Sequence, residues 1–205
     1  MQIEWASRPS LCCQDTSTIS AKIEKIDILN YVTKPLDATH YKTRRVATMV
    51  RMIKYKTKLT ENKRVELEKE VSMNCPDLVS IIRSPEDATM IGKGFMHIHE
   101  NPEEYMYMIC MNTKNRIIGV FEVSHGNVNS SIVGVREIFQ KALLANAVSI
   151  ILMHNHPSGD PTPSREDINV TRRIVDAGKI LGVEVLDHII VGDKSYASLK
   201  EKGHM

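Results

Sequence analysis

From Ser84 to the C-terminus, hydrophobic and polar positions alternate between a helical and an extended period. Ser84-Pro85-Glu86-Asp87 has a capping serine, a proline suited to the first helical position and an acid three residues after the cap, so a helix starts there. Tyr105–Met111 predicts a strand, Asn112-Thr113-Lys114-Asn115 a turn, and Arg116–Val123 the returning strand of a hairpin. Val135, Ile138, Phe139, Ala142 and Leu143 recur at helical spacing within 135–147. Val148–Met153 is nearly continuous in apolar residues, the pattern of a strand covered on both faces. A loop rich in Pro, Gly and Asp runs from His154 to Pro163. Ser164 then opens a helix with Ile168, Thr171, Ile174, Val175, Gly178 and Leu181 on one stripe, closed by Gly182. A strand over Val183–Val191, a turn at Gly192-Asp193-Lys194 and a short strand over Tyr196–Leu199 complete the pattern. Strands and helices in this alternation predict an α/β (α+β) fold, a mixed sheet flanked by helices.

The region before Ser84 reads differently, and a domain boundary is placed there: 1–82 as an N-terminal extension, 83–205 as the main domain. Residues 1–40 contain Pro9 and Pro35 and little apolar periodicity. Tyr41–Arg64 is basic, with Lys42, Arg44, Arg45, Arg51, Lys54, Lys56, Lys58, Lys63 and Arg64 against Glu61 alone. Glu66, Glu68 and Glu70 follow. A solvated helix face, an extended strand with a polar side, and a patch for phosphate or an acidic partner all fit this run. Only Tyr41 and Tyr55 offer stacking rings in it, a thin basis for single-strand binding.

Composition narrows the class. With 42% hydrophobic and 25% charged residues, the chain is that of an ordinary globular protein. A formal net charge of +2 gives no whole-chain pull toward nucleic acid. No basic and apolar leader opens the sequence, and no apolar run nears the roughly 20 residues that span a bilayer. Cys12, Cys13, Cys75 and Cys110 match neither a disulfide framework nor a zinc knuckle, so they are read as reduced thiols in a cytoplasmic protein.

The candidate chemistry lies at the end of the apolar 148–153 strand. In an extended chain the side chains of His154 and His156 point to one side, about 6.5–7 Å apart along the backbone. The loop turns the chain back, and the start of the next helix offers Asp167 to the same point. Two imidazoles and a carboxylate suit one Zn²⁺, and three protein ligands leave a fourth position for water, as in a catalytic site. Zinc lowers the pKa of such a water from about 15.7 toward about 7. Glu103 or Glu104, at the start of the 105–111 strand, is positioned to act as a base if that strand lies beside the histidines. The same residues also fit blander roles. Ser164-x-x-Asp167 resembles a capping box, and the histidines suit a polar strand end.

Other features carry less. His97-Ile98-His99 lacks a following Pro-Gly loop and a capped acid, and is read as structural. His188, in Leu186-Asp187-His188-Ile189, fits either a hydrogen-bonded core group or a partner behind a metal ligand. Neither a phosphate-binding glycine fingerprint nor a GxSxG elbow occurs.

Met153-His154-Asn155-His156-Pro157-Ser158-Gly159-Asp160-Pro161-Thr162-Pro163-Ser164-Arg165-Glu166-Asp167 resembles the RadC family, part of the wider JAB/MPN metalloprotease group (JAMM motif). The likeness continues through Gly178–Val183 and Leu186–Asp193 and covers roughly 83–202. It implies a curved mixed sheet flanked by helices with cytidine-deaminase-like layering. It also implies zinc ligation by His154, His156 and Asp167. The family's catalytic glutamate aligns with Glu104, with Glu103 one register step away. The motif serine, here Ser164, is implied to stabilise the oxyanion of a tetrahedral intermediate. The implied reaction is attack of water on an amide or isopeptide carbonyl, with the peptide or protein substrate open. RadC proteins carry a helix–hairpin–helix-like segment before the metal domain, and none is found in 1–82.

Two functions therefore compete: a zinc metallopeptidase or isopeptidase-like hydrolase, and a DNA-repair or recombination accessory that binds nucleic acid through the basic segment. A metal-dependent nuclease fits worse, because a mononuclear His/His/Asp site lacks the acidic cluster of two-metal nucleases. No membrane association is expected, and the oligomeric state is left open.

Overall fold

A computed structural model of the chain describes residues 49–126 and 134–205. In order, it contains β1 (Val50–Leu59), β2 (Val65–Cys75), α1 (Pro85–Gly94), a 3-10 turn (Ile98–Glu100), β3 (Tyr105–Met111), β4 (Ile117–His125), α2 (Val135–Leu144), β5 (Ser149–Asn155), α3 (Arg165–Leu181), β6 (Glu184–Val191) and β7 (Tyr196–Ser198). The strands form one seven-stranded mixed sheet in the order β2-β1-β4-β3-β5-β6-β7. β1 runs parallel to β4 and β5 parallel to β6; the other pairs are antiparallel.

β3 and β5 lie at the middle of the sheet, which is why both read as apolar runs. Every residue of β5 is buried. One face of the sheet packs Tyr107, Ile109, Ile151, Met153 and Ile189 against Ile91 of α1. The other packs Met106, Met108, Ile150 and Leu152 against Ile138 and Phe139 of α2 and Val170 and Ile174 of α3. Helices thus cover both faces, the layered arrangement expected from the alternation of elements.

α3 begins and ends where the sequence places it. Ser164 caps it, accepting the Asp167 N–H at 3.1 Å, and Gly182 closes it with φ +70°. The helix links the parallel neighbours β5 and β6, so its N-terminus follows directly on the end of β5. Gly178 lets it sit close to the sheet. A Cβ there would meet the Val183 carbonyl oxygen at 2.5 Å.

Several boundaries differ from expectation, most of them by one or two residues. β5 continues through His154 and Asn155, so the first histidine belongs to the strand rather than the loop. α2 stops at Leu144, short of residue 147, and Asn146 follows in the left-handed region. The basic run takes up its extended form. β1 and β2 make a hairpin that joins the sheet through β4, so the sheet runs across the boundary expected before Ser84. Three lysines of β1 meet acids in place: Lys56 and Lys58 lie at 3.2 and 3.5 Å from Glu68. Lys54 reaches Glu70 at 3.1 Å and Glu122 at 3.0 Å. The expectations for residues 1–40, for the basic positions 42–45 and for Cys12 and Cys13 lie outside the described residues. No helix among the described residues is long and apolar enough to cross a membrane.

Candidate metal centre

The site forms where β5 ends and α3 begins. In a strand, alternate side chains share a face. Ile150 and Leu152 face α2 and α3, and His154 and His156 continue that row. His154 is fully buried, and Asp167 reaches it from the first turn of α3. His154 Nε2 lies 3.1 Å from His156 Nε2 and 3.4 Å from Asp167 Oδ1. His156 Nε2 lies 3.5 Å from Asp167 Oδ2. His154, His156 and Asp167 form the single such group of metal-capable donors among the described residues.

These distances fit a shared cation. Ligands about 2.0–2.1 Å from a tetrahedral ion stand roughly 3.3 Å apart, the spacing found here. The ring orientations fit as well. His156 Nδ1 donates to the Asp160 carbonyl at 2.7 Å, which in the neutral ring leaves its Nε2 as a bare lone pair aimed at the other two donors. His154 Nδ1 lies 2.8 Å from Nε2 of the buried His188. Lone pairs and a carboxylate converging in a mostly buried place are suited to a cation between them.

The electrostatics follow from burial and from the carboxylate. Burial, with help from His188 and His156, pushes the His154 imidazole well below its ordinary range against the pull of Asp167. His156 goes the other way, raised chiefly by its hydrogen bond to Asp167. Burial works to raise the Asp167 carboxyl. The His156 hydrogen bond, the charge of His154 and the Ser164 donors outweigh it and hold the group below the usual carboxylate range. Burial lowers His188 to about 4.

Ser164 and Asp167 do form the capping box, and Asp167 also faces the imidazoles. Its Oδ2 accepts the Ser164 N–H at 2.8 Å and the Ser164 hydroxyl at 2.7 Å. One carboxylate can serve both purposes, so the two sequence readings are compatible.

Glu104 comes just before β3. Met106 pairs with His154, and continuing that antiparallel register two residues brings Glu104 across from His156. Alternation puts Glu104 on the face of Met106 and the histidines, and its charge acts on His156. Glu103, in the bend one residue earlier, is exposed. Asn155 holds this segment. Its amide oxygen accepts the Tyr105 N–H at 2.8 Å, and its amide nitrogen donates to the carbonyls of Glu103 and Asn101 at 2.9 and 3.2 Å.

The loop after His156 is strapped to the β6–β7 turn. His156 N–H donates to the Val191 carbonyl at 3.1 Å, Gly159 N–H to the His156 carbonyl at 2.9 Å, and Asp193 N–H to the Gly159 carbonyl at 3.2 Å. Gly192 is the close approach, since a Cβ there would stand 2.3 Å from the Gly159 carbonyl oxygen. His97 sits beside the 3-10 turn and His99 within it, paired with the exposed Glu100 and apart from this group. Asn155, Thr171 and the Asp160 carbonyl are the contributors that sequence reasoning missed. The carbonyl acts through the backbone, and Asn155 faces away from the ligands it separates, so neither leaves a side-chain signal.

The model of the RadC-like JAB domain matches residues 82–204, more than half of the chain. The chain belongs to this family. Among its relatives, a UPF0758 protein of Desulfitobacterium hafniense (strain DSM 10664 / DCB-2) is 46% identical over 139 residues, 68% of this chain and 60% of that one. One of Bacillus licheniformis is 49% identical over 134 residues, 65% and 58% of the two chains. One of Bacillus cereus (strain AH187) is 52% identical over 124 residues, 60% and 54%. The chain thus spans a little over half the length of these curated relatives. All three converging residues, Glu104, Ser164 and Asn155 fall inside the segment matched as a RadC-like JAB domain, whereas β1 and β2 precede it.

Proposed function

We propose that the protein is a zinc-dependent hydrolase of amide bonds, a metallopeptidase or isopeptidase-like enzyme. His154, His156 and Asp167 hold one Zn²⁺ in this reading, and a peptide or protein supplies the scissile bond. The observation that carries it is the convergence of two imidazole nitrogens and a carboxylate at 3.1–3.5 Å. Membership of the RadC-like JAB domain family supports it.

Bound zinc would supply Lewis acidity and a water of lowered pKa at the one position that three protein ligands leave open. The chain's own residues do the rest. Glu104, on the face of the histidines, takes a proton from the attacking water and returns it to the leaving amine, so the water is divided across the broken C–N bond. The Ser164 hydroxyl donates to the oxyanion that develops on the carbonyl. When the hydroxyl turns to the oxyanion, the Ser164 N–H still donates to Asp167 at 2.8 Å and keeps that side of the cap in place. Asn155 holds the backbone that carries Glu104, and Asp160 and His188 hold the two rings.

The nucleic-acid reading draws less support. Within the described residues, three lysines of β1 are paired with acids and Arg51 donates to Ser72 at 3.0 Å.

The test is metal content and peptide hydrolysis of the purified protein beside Glu104→Gln and His156→Ala. One zinc per chain is expected in the wild type and in Glu104→Gln, none in His156→Ala, and hydrolysis in the wild type alone. Equal activity in all three would end the proposal.

A further inference from the structure

Behind His154 stands a chain of three polar groups with no access to water. His154, His188 and Thr171 are all 0% exposed. His154 Nδ1 lies 2.8 Å from His188 Nε2, and His188 Nδ1 lies 2.6 Å from Thr171 Oγ1. Thr171 Oγ1 in turn lies 2.5 Å from the carbonyl oxygen of Asp167, one helical turn back. Two oxygens that close must have a proton between them, and a carbonyl has none to give. The Thr171 hydroxyl is therefore the donor.

That one assignment fixes the rest. With its proton committed, Thr171 Oγ1 can only accept from His188, so Nδ1 of His188 carries hydrogen. A neutral imidazole has one N–H, so His188 Nε2 is an acceptor. It must take its hydrogen bond from His154 Nδ1, which leaves His154 Nε2 a bare lone pair. We infer that Thr171 and His188 form a hydrogen-bond relay of fixed polarity that holds His154 in the Nδ1–H tautomer and so presents its Nε2 to a cation. The relay ends on the main chain of Asp167, so two of the three converging residues are tied together from behind. The opposite polarity would put a hydrogen on His154 Nε2, where it would block the ion. A buried ring that can neither turn nor exchange its proton with water depends on these partners to choose between them. Thr171 and His188 are positioning residues, and the role assigned to them rests on His154 being a metal ligand.

Two measurements test this. In zinc-free protein with nitrogen-15-labelled histidine, above neutral pH, long-range proton–nitrogen spectra report which ring nitrogen is protonated. His154 and His188 should both carry hydrogen on Nδ1; hydrogen on Nε2 of either overturns the relay. Zinc affinity, measured by competition with a chromophoric chelator, should fall roughly 10- to 100-fold in Thr171→Val and return to the wild-type value in Thr171→Ser. Unchanged affinity in Thr171→Val, or loss in both variants, overturns it too. If the wild type binds no zinc, the hydrolase reading falls, while the tautomer spectra still decide the polarity. That spectrum uses the unaltered chain, so poor folding of a variant leaves the inference exposed to refutation.

Discussion

The side-chain amide of Asn155 accepts the Tyr105 N–H at 2.8 Å and so fastens the start of β3 to the end of β5. Removing it in Asn155→Ala leaves that N–H and the carbonyls of Asn101 and Glu103 without their partner, at a cost of about 1–3 kcal/mol. Because the segment carries Glu104, kcat should fall by more than KM changes, with one zinc retained. A variant that loses its metal, or one that matches the wild type in both kcat and stability, would show that Asn155 has no such role.

The two neighbouring glutamates should behave oppositely. The β3–β5 register, continued from Met106 and His154, brings Glu104 level with His156, whereas Glu103 is exposed. Glu104→Gln is expected to lower kcat by about 10²–10⁴ at unchanged zinc content. Glu103→Gln should hydrolyse at close to the wild-type rate. Steady-state kinetics on the pair decides it, and the reverse order of effects would exchange the assignments.

Gly192 offers a probe of the site from outside it. In Gly192→Ala the new Cβ must push against the Gly159 carbonyl, a backbone atom that cannot swing aside. The strain loosens the loop that brings the Asp160 carbonyl to His156 Nδ1. A loss of about 1–3 kcal/mol in denaturant unfolding is expected, together with weaker zinc binding. Unaltered values of both would show that the loop yields without disturbing His156.

Acid should unfold the zinc-free protein earlier than its carboxylates alone would predict. His188 ordinarily titrates near 6.5 but lies at about 4 when folded, so between those values the unfolded chain binds more protons. Stability then falls as pH drops through that window, by roughly 3 kcal/mol for this ring. His154, also pushed down by burial, adds in the same sense, and Asp167 extends the loss below the usual carboxylate range. His156 is raised and opposes them: its contribution is present at low pH and is lost as pH rises through its folded value. Unfolding free energies in chelator across the acid range should show the fall, with a shallower slope in His188→Gln. Parallel slopes would contradict it.

Much of this site could be read from residue order. α3 announces its own limits through Ser164 and Gly182, and the apolar run before His154 marks a doubly covered strand. The string from His154 to Asp167 compresses its three converging groups into one strand–loop–helix unit, so a short stretch of sequence contains them. Where the reading failed, the cause lay in contacts distant along the chain. His154 and Asn155 do not look like strand residues, because their burial is made possible by hydrogen bonds to His188 and to the 101–105 backbone, partners distant in sequence. The β1–β2 hairpin has no strong apolar alternation, since it is held by long-range strand pairing and by cross-strand charge pairs. Residue order leaves Glu103 and Glu104 as alternatives, because the register of β3 against β5 that bears on them is set by long-range strand pairing.

The hairpin that precedes the family match has a practical consequence for handling the molecule. Tyr55 of β1 stacks on Phe121 at 5.7 Å, and its ring lies 2.6 Å from where a Cβ on Gly119 would stand. A fragment trimmed to 82–204 would strip that cover and turn β4 into a bare sheet border, with an aromatic side chain and a glycine notch open to solvent. Such a border invites a second chain to pair with it. Clumping of the shortened piece would then reflect where it was cut rather than any self-association of the intact protein.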